Sequence, residues 1–352
     1  MVHCWIHLHC DFSIEGLCIW MATRWACLGP GKISSDFFKA IQDNLPATEH
    51  EFVAIASRDQ SRAQQFADKF KFKRAYGSYE DVAKDKDVDV VYIGTIITNH
   101  VELSMKMLEA GKHVLCEKPM AINYKEAKQV LDFAKSKNLL FVEAIWSRLF
   151  PVYDEIRKEV AAGSLGDIRL VQVTFCVPIS QVERLQDVKL GGGACLDIGI
   201  YTIQFACLVF GEMPESITAV GNLMKSGADE NACIILKYKN GAVANLTYHA
   251  SLTNNNTAVI CGTKGRIEVE QPFWAPTKIS TPSGVKEFPL KDDGGYNFGN
   301  SAGLHYEANA VRDCLSKGLI EHPYVTHGDS EMIYKIMDEV RRQIGMVYPD
   351  FD

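Results

Sequence analysis

The chain has 352 residues, of which 47% are apolar and 23% charged, and its formal net charge is −7. This is the composition of a soluble globular protein of about two domains, at roughly 150 residues each. The negative balance argues against a nucleic-acid or acidic-membrane partner, because no surplus of lysine and arginine is available for phosphates. No apolar run approaches the roughly 20 residues that span a bilayer.

Residues 1–22 differ from the rest and are predicted to be an N-terminal extension. Five metal-competent side chains lie in it: His3, Cys4, His7, His9 and Cys10. Their spacing matches no zinc pattern and no second ligand cluster follows, so no metal site is predicted. Asp11 and Glu15 interrupt its apolar part, which does not favour a secretory signal. The irregular spacing of the 11 cysteines indicates reduced thiols and a cytoplasmic location.

Strands alternate with helices over residues 23–146, a pattern typical of βαβ units and a parallel sheet. The predicted strands are 24–28, 51–57, 88–94, 113–116 and 140–143. The predicted helices are 35–44, 60–70, 79–84, 99–110 and 124–137. This α/β segment is predicted to be a dinucleotide-binding Rossmann domain.

The pattern changes after about residue 150, and residues 147–352 are predicted to form an α+β domain with a mostly antiparallel open sheet. Its predicted strands are 168–177, 216–223, 229–238, 242–251, 255–262 and 265–270. Its predicted helices are 152–162, 194–210, 303–317 and 329–345. Residues 239–241 and 262–265 are rich in glycine and resemble hairpin turns.

A glycine-containing turn follows the first strand and opens a helix, the context that a dinucleotide fingerprint requires. Gly29 makes the tight turn, Gly31 lets the backbone approach a pyrophosphate, and Ser34 stands where a small third residue packs the helix on the strand. The helix N-terminus then faces the phosphate charge.

The end of the second strand predicts the choice of dinucleotide. An NAD site usually has Asp or Glu there, whereas this chain has Ser57-Arg58 followed by Arg62. Two guanidinium groups suit the 2′-phosphate of NADP. Alternatively, Arg62 pairs with Asp59, or Asp59 binds the ribose of NAD.

The tripeptide Glu117-Lys118-Pro119 ends a short apolar strand, and Gly191-Gly192-Gly193 precedes Asp197 and Tyr201. Asp197 and Tyr201 are four residues apart and are expected on one helical face. Tyr201 is a candidate base for an alcohol proton, if the Lys118 ammonium lowers its pKa, and Asp197 could orient substrate or lysine. Each of these residues also has a purely structural alternative: Lys118 only closes the strand, Asp197 is a charge at a helix start, and Tyr201 is a core residue.

Together these motifs resemble the Gfo/Idh/MocA oxidoreductases, as does Asn99-His100 after the strand Val-Val-Tyr-Ile-Gly. The resemblance implies an NADP-linked enzyme that oxidises trans-dihydrodiols of aromatic hydrocarbons to catechols and D-xylose at C1. It places His100, Glu117 and Lys118 beside the cofactor and implies a cis Lys118–Pro119 bond. It assigns the substrate wall to Trp146, Phe175, Trp274 and Phe298, although each aromatic residue alone could be core packing.

The resemblance also implies a homodimer through the second-domain sheet, whose open face would otherwise be solvated. Two other functions stay open. One is a sugar or cyclitol dehydrogenase of the same family. The other is a non-catalytic NADP-binding sensor, against which the retention of Lys118, Asp197 and Tyr201 argues.

Overall fold

A computed structural model describes residues 22–291 and 294–352. Residues 1–21, which hold nearly all of the predicted extension with its histidines and cysteines, lie outside the described residues. The eight cysteines of the described part are all free thiols, and six of them are buried.

The first sheet has six parallel strands in the order β3-β2-β1-β4-β5-β6. Its strands are β1 (Thr23–Leu28), β2 (His50–Ala56), β3 (Arg74–Tyr76), β4 (Val90–Ile93), β5 (His113–Glu117) and β6 (Phe141–Ala144). The predicted Rossmann fold is therefore confirmed. The prediction missed only β3, because a half-buried edge strand of three residues has too little periodicity to detect.

Five helices accompany this sheet: α1 (Lys32–Asn44), α2 (Gln60–Phe70), α3 (Tyr79–Lys84), α4 (His100–Glu109) and α5 (Tyr124–Lys137). The four residues of β4 are fully buried, as expected where helices cover both faces of a parallel sheet. Helix α1 begins at Lys32, three residues before its predicted start at Ser35, so its first turn comes directly after the glycine turn.

The second sheet has eight strands in the order β14-β13-β12-β11-β7-β10-β9-β8, with one parallel pair, β7 and β10. Its strands are β7 (Ile168–Cys176), β8 (Ser216–Leu223), β9 (Asp229–Lys237), β10 (Val243–His249), β11 (Ala258–Gly262), β12 (Arg266–Val269), β13 (Lys278–Thr281) and β14 (Gly284–Glu287). The predicted mostly antiparallel sheet is confirmed. The prediction missed β13 and β14, because they are four-residue strands at the sheet edge with little apolar alternation.

The second domain contributes α6 (Pro151–Ala161), α7 (Glu183–Gln186), α8 (Ile200–Phe210), α9 (His305–Ser316) and α10 (His327–Ile344). Contrary to the expectation from sequence, one described stretch, Val188–Phe210, is long and apolar enough to cross a membrane, with a mean hydropathy of 1.6. However, 83% of that window is buried inside the protein, so the stretch is a core helix.

One face of the second sheet packs on these helices and the other faces outward. In β9, Ala232, Ile234 and Leu236 are buried, whereas Cys233 and Ile235 are exposed between them. The predicted domain boundary at residue 146 falls between β6, the last strand of the first sheet, and β7, the first of the second.

Candidate active site

A cavity of about 960 Å³ lies between the carboxyl ends of the first-sheet strands and the second domain. This edge of a parallel sheet is where α/β proteins bind ligands. The cavity brings together all predicted site residues but one: Gly29, Gly31, Arg58, Arg62, His100, Glu117, Lys118, Trp146, Phe175, Asp197, Tyr201, Trp274 and Phe298. The exception is Ser34.

The turn after β1 forms a cradle of backbone atoms. Gly29 has φ +94°, and a Cβ on it would lie 3.0 Å from the Thr95 methyl carbon. Ser34 is fully buried and donates a hydrogen bond of 2.7 Å to the Gly29 carbonyl. It therefore fixes the turn from behind and does not face the cavity. No side chain among the described residues caps the N-terminus of α1, which leaves its first amides free for an anion.

Arg58 and Arg62, which follow β2, line the same cavity as the cradle. Neither guanidinium has an ion pair or side-chain hydrogen bond within residues 22–291 and 294–352. Asp59 caps α2 and accepts hydrogen bonds from the Ser61 and Arg62 amides at 2.9 and 3.3 Å. Its carboxylate is thus engaged by the backbone, and the alternative pairing of Arg62 with Asp59 through side chains does not form.

Tyr79, at the start of α3, also lines this end of the cavity, and nothing in the sequence distinguished it from other tyrosines. Burial raises its pKa, and the charges of Arg58 and Arg62 oppose that shift. The cradle, the two cations and the aromatic ring fit a dinucleotide.

Lys118 follows β5, and its bond to Pro119 is cis, as the resemblance implied. The ammonium donates to the Asp197 carbonyl at 2.9 Å and lies 3.5 Å from the carboxylate oxygen Oδ1. It also lies 5.0 Å from the centroid of the Tyr201 ring. The three predicted catalytic residues are therefore neighbours, although the lysine is directed at the aspartate.

Asp197 lies in a π-helical turn, Cys195–Gly199, which precedes α8. The sequence predicted a regular helix here; π turns of this kind frequently occur at functional sites. Arg184, on α7, donates to both carboxylate oxygens of Asp197 at 3.1 Å each. Burial acts to raise the pKa of Asp197, but the charges of Lys118 and Arg184 outweigh it, so the pKa is lowered. Sequence reasoning missed Arg184.

The hydroxyl of Tyr201 accepts a hydrogen bond of 2.7 Å from the indole N–H of Trp146. Burial, and next the charge of Glu117, raise the pKa of Tyr201 well above its ordinary value. This is opposite to the predicted direction. The reason is that burial removes the hydroxyl from water and the charge of Glu117 disfavours a phenolate, while the Lys118 ammonium lies over the ring and bonds to Asp197.

Glu117 and His100 support the loops around Lys118. Glu117 accepts a hydrogen bond of 2.6 Å from the Tyr92 hydroxyl, and burial raises its pKa to about 7. The two ring nitrogens of His100 lie 2.9 Å from the Pro119 carbonyl oxygen and 3.1 Å from the Thr95 carbonyl oxygen. The ring therefore links the loops that follow β4 and β5. Burial lowers the pKa of His100.

The other side of the cavity is an aromatic wall. Phe175 and Trp274 stack with ring centroids 3.9 Å apart and an interplanar angle of 11°. Phe175 also contacts Tyr201, at 5.6 Å between centroids. Phe298 also lines the cavity but differs from these residues, because it is 49% exposed. Within the described residues, no group of three or more His, Cys, Asp or Glu is arranged to hold a metal.

Two family models match the chain. Residues 23–144 match the oxidoreductase family with an NAD-binding Rossmann fold, GFO_IDH_MocA. Residues 153–268 match the GFO/IDH/MocA C-terminal domain.

Proteins named trans-1,2-dihydrobenzene-1,2-diol dehydrogenase, from several animals, are similar to nearly the whole chain. The one from Xenopus tropicalis is 44% identical over 333 residues, which are 94% of this chain and 100% of that protein. The one from Homo sapiens is 42% identical over 334 residues, which are 94% of this chain and 99% of that protein.

Solved structures share the fold over both domains. KijD10, a 3-ketoreductase from Actinomadura kijaniata in complex with NADP and TDP-benzene, has a TM-score of 0.76 and 25% identity over 92% of this chain and 98% of its own. Levoglucosan dehydrogenase in complex with NADH and levoglucosan has a TM-score of 0.81 and 21% identity over 92% and 97% of the two chains, which shows the fold alone. The chain therefore belongs to the Gfo/Idh/MocA oxidoreductase family, and it is an oxidoreductase with a dinucleotide-binding Rossmann domain.

Proposed function

We propose that this protein is an NADP-dependent dehydrogenase that oxidises trans-dihydrodiols of aromatic hydrocarbons to catechols and D-xylose at C1 to the lactone. The observation that carries the proposal is a single cavity in which a phosphate cradle, a Lys118–Asp197–Tyr201 cluster and an aromatic wall meet. The similarity to proteins named as dihydrodiol dehydrogenases supports the choice of substrate.

NADP is the proposed dinucleotide because Arg58 and Arg62 have no partner among the described residues, while Asp59, the alternative ribose ligand for NAD, caps α2 through its Oδ1 atom. Arg58 and Arg62 would hold the 2′-phosphate through charge-assisted hydrogen bonds. The N-terminal amides of α1 would hold the pyrophosphate. When bound, the dinucleotide accepts a hydride from the carbon that is oxidised.

Tyr201 is the proposed base, and the oxygen of its deprotonated form receives the proton of the substrate alcohol. The Trp146 N–H donates to that oxygen and so stabilises the phenolate. Lys118 contributes positive charge from the face of the ring at 5.0 Å. Because its pKa is raised, Tyr201 is mostly protonated at neutral pH, so oxidation should accelerate with alkaline pH and the reverse reduction should be favoured at lower pH.

Asp197 orients the lysine in this arrangement. Its carbonyl and carboxylate both contact the Lys118 ammonium, while Arg184 holds the carboxylate from the cavity rim. The stacked pair of Phe175 and Trp274 offers an apolar surface for the ring of a dihydrodiol.

The proposal extends to a homodimer formed through the outward face of the second sheet. That face carries apolar side chains among polar ones, including Val220, which is 71% exposed, and Ile235, which is 39% exposed. A cytoplasmic location is also proposed, since all described cysteines are free thiols.

Steady-state turnover tests the function directly. The purified protein is assayed with NADP and with NAD on a panel of trans-dihydrodiols, D-xylose, D-glucose and myo-inositol. We expect the highest kcat/KM with dihydrodiols, and at least about tenfold preference for NADP, the equivalent of about 1.4 kcal/mol. Higher efficiency with glucose or inositol would point to a sugar or cyclitol dehydrogenase. NADP binding without turnover of any substrate would point to a sensor.

A further inference from the structure

Residues 294–300, which we name the strap, run from the second domain across α1 of the Rossmann domain. Asp36 of α1 holds this crossing. Its carboxylate accepts the Asn297 amide N–H at 2.9 and 3.0 Å, the Phe298 amide N–H at 3.0 Å, and the Asn297 side-chain amide at 2.6 Å. Asn297 and Phe298 are more than 260 residues away in the chain.

The burial of Asp36 makes this arrangement unusual. The residue is only 1% exposed, and a buried carboxylate is costly unless its oxygens are well satisfied. No cation pairs with it within the described part of the chain. Its charge is instead balanced by hydrogen bonds from the strap, and charge-assisted bonds of this kind are the strong ones. The strap is therefore fixed in one conformation at Phe298.

The side chain that this carboxylate fixes is not part of the core. Phe298 is 49% exposed and lines the same cavity as the stacked Phe175 and Trp274. An exposed phenylalanine gains little by being immobilised, unless a ligand packs against it. The same strap donates from the Asn297 side chain to the Lys32 carbonyl at 3.3 Å, so it is anchored to the first turn of α1, beside the cradle.

We propose that Asp36 is a positioning residue for substrate selection, which acts by holding Phe298 over the cavity so that substrates with an apolar ring are favoured over small hydrophilic ones. The inference rests on the proposed function, since it takes a dihydrodiol and D-xylose as the two substrates compared. It assigns a specificity role to a residue of the dinucleotide-binding domain.

The test compares two isosteric substitutions on one helix. Asp36→Asn keeps the shape but replaces one acceptor oxygen with an N–H donor, which then faces a strap amide. Asp43→Asn is the matched control: Asp43 accepts the Tyr296 hydroxyl at 2.9 Å and so touches the strap away from Phe298. Phe298→Ala and the double variant Asp36→Asn/Phe298→Ala complete the set.

The measured quantity is the ratio of kcat/KM for a trans-dihydrodiol to kcat/KM for D-xylose. We expect Asp36→Asn and Phe298→Ala each to lower it about three- to tenfold, the scale of one aromatic contact. The double variant should lie no lower than the single ones, because both remove the same contact. Asp43→Asn should keep the wild-type ratio. Catechol is also titrated into the enzyme–NADP complex in a calorimeter. Its affinities for the wild type and the variants should follow the same order.

An Asp36→Asn variant with the wild-type ratio, or one that loses both substrates equally, would overturn the inference. So would a double variant whose losses multiply. The proposed function fails separately, if wild-type enzyme oxidises no dihydrodiol. In that case the catechol titration still decides on Asp36: equal affinity in wild type and Asp36→Asn refutes the role.

Discussion

The two ends of the cavity hold their charges in different ways. At the cradle, Arg58 and Arg62 have no partner among the described residues, and the amides of α1 are not capped by a side chain. At the other end, which we propose to be the catalytic end, Lys118, Asp197 and Arg184 form a connected set, and the Tyr201 hydroxyl is hydrogen-bonded to Trp146. The first end is therefore complementary to an anionic ligand. At the second end, Lys118, Asp197, Arg184 and the Tyr201 hydroxyl already have partners within the protein. Substitutions at the cradle should change affinity, and substitutions at the catalytic end should change rate.

The largest expected effect is at Tyr201. Tyr201→Phe removes the proposed proton acceptor and keeps the ring, and should lower kcat by about 10²–10⁴, the usual scale of general acid–base catalysis. NADP affinity, measured by fluorescence titration, should change little. Lys118→Met should cost a comparable factor, and the double variant little more, because the two act as a unit.

The matched control for this substitution is Tyr238→Phe. The Tyr238 hydroxyl is buried without a hydrogen-bond partner in the described structure, so its removal should leave kcat unchanged. Near-normal turnover by Tyr201→Phe would show that the base is elsewhere, with Lys118 the first candidate and Asp197 the next.

The next effect concerns the cradle. Arg58→Ala should weaken NADP binding by about tenfold or more, equivalent to about 1.4 kcal/mol, and leave NAD nearly unchanged, because only the 2′-phosphate distinguishes the two ligands. Dissociation constants from fluorescence titration check this. Asp59→Asn is the control, since asparagine still caps the helix but lacks the acid. If Asp59→Asn weakened NAD selectively, Asp59 would be the ribose ligand and the choice of NADP would be wrong.

A pH profile sharpens the catalytic side of the comparison. The raised pKa of Tyr201 predicts that kcat/KM for oxidation rises with pH well into the alkaline range, since only the deprotonated phenol accepts the proton. Removing the nearby positive charge in Lys118→Met should move this limb to still higher pH. A profile that is flat from neutral to alkaline pH in wild type would contradict proton transfer to Tyr201.

The smallest effect is on stability. Burial raises the pKa of Glu117 from 4.5 to about 7, so the folded state binds a proton that the unfolded state releases. The contribution of Glu117 to the free energy of unfolding should therefore fall as pH rises from about 4.5 to about 7, and be constant above. Glu117→Gln should raise the melting temperature more at pH 7.5 than at pH 5. Glu212→Gln, at an exposed carboxylate, is the control, and an equal gain at both pH values would refute the shift.

The sequence predicted the parts of the site that are local in the chain. Gly29, Gly31 and Ser34 lie within one turn, so their spacing alone predicts a dinucleotide turn. Glu117-Lys118-Pro119 lie at one strand end, and the family resemblance predicts their role. The long helices and strands were predictable for the same reason, because their periodicity is local. The short edge strands β3, β13 and β14 were not, since pairing to a neighbour defines them and their own pattern does not.

Only the tertiary structure decided which side chains meet across the chain. Arg184 bonds to Asp197 and Trp146 to Tyr201 over separations of 13 and 55 residues, and Asp36 bonds to the strap over 261. No local pattern encodes such contacts. The direction of the Tyr201 pKa shift belongs here too, because burial and the charge of Glu117 set it. The residue types of the chain thus determined a dinucleotide-binding fold and the motifs on which the proposed acid–base site rests, while packing determined how each charged group is held.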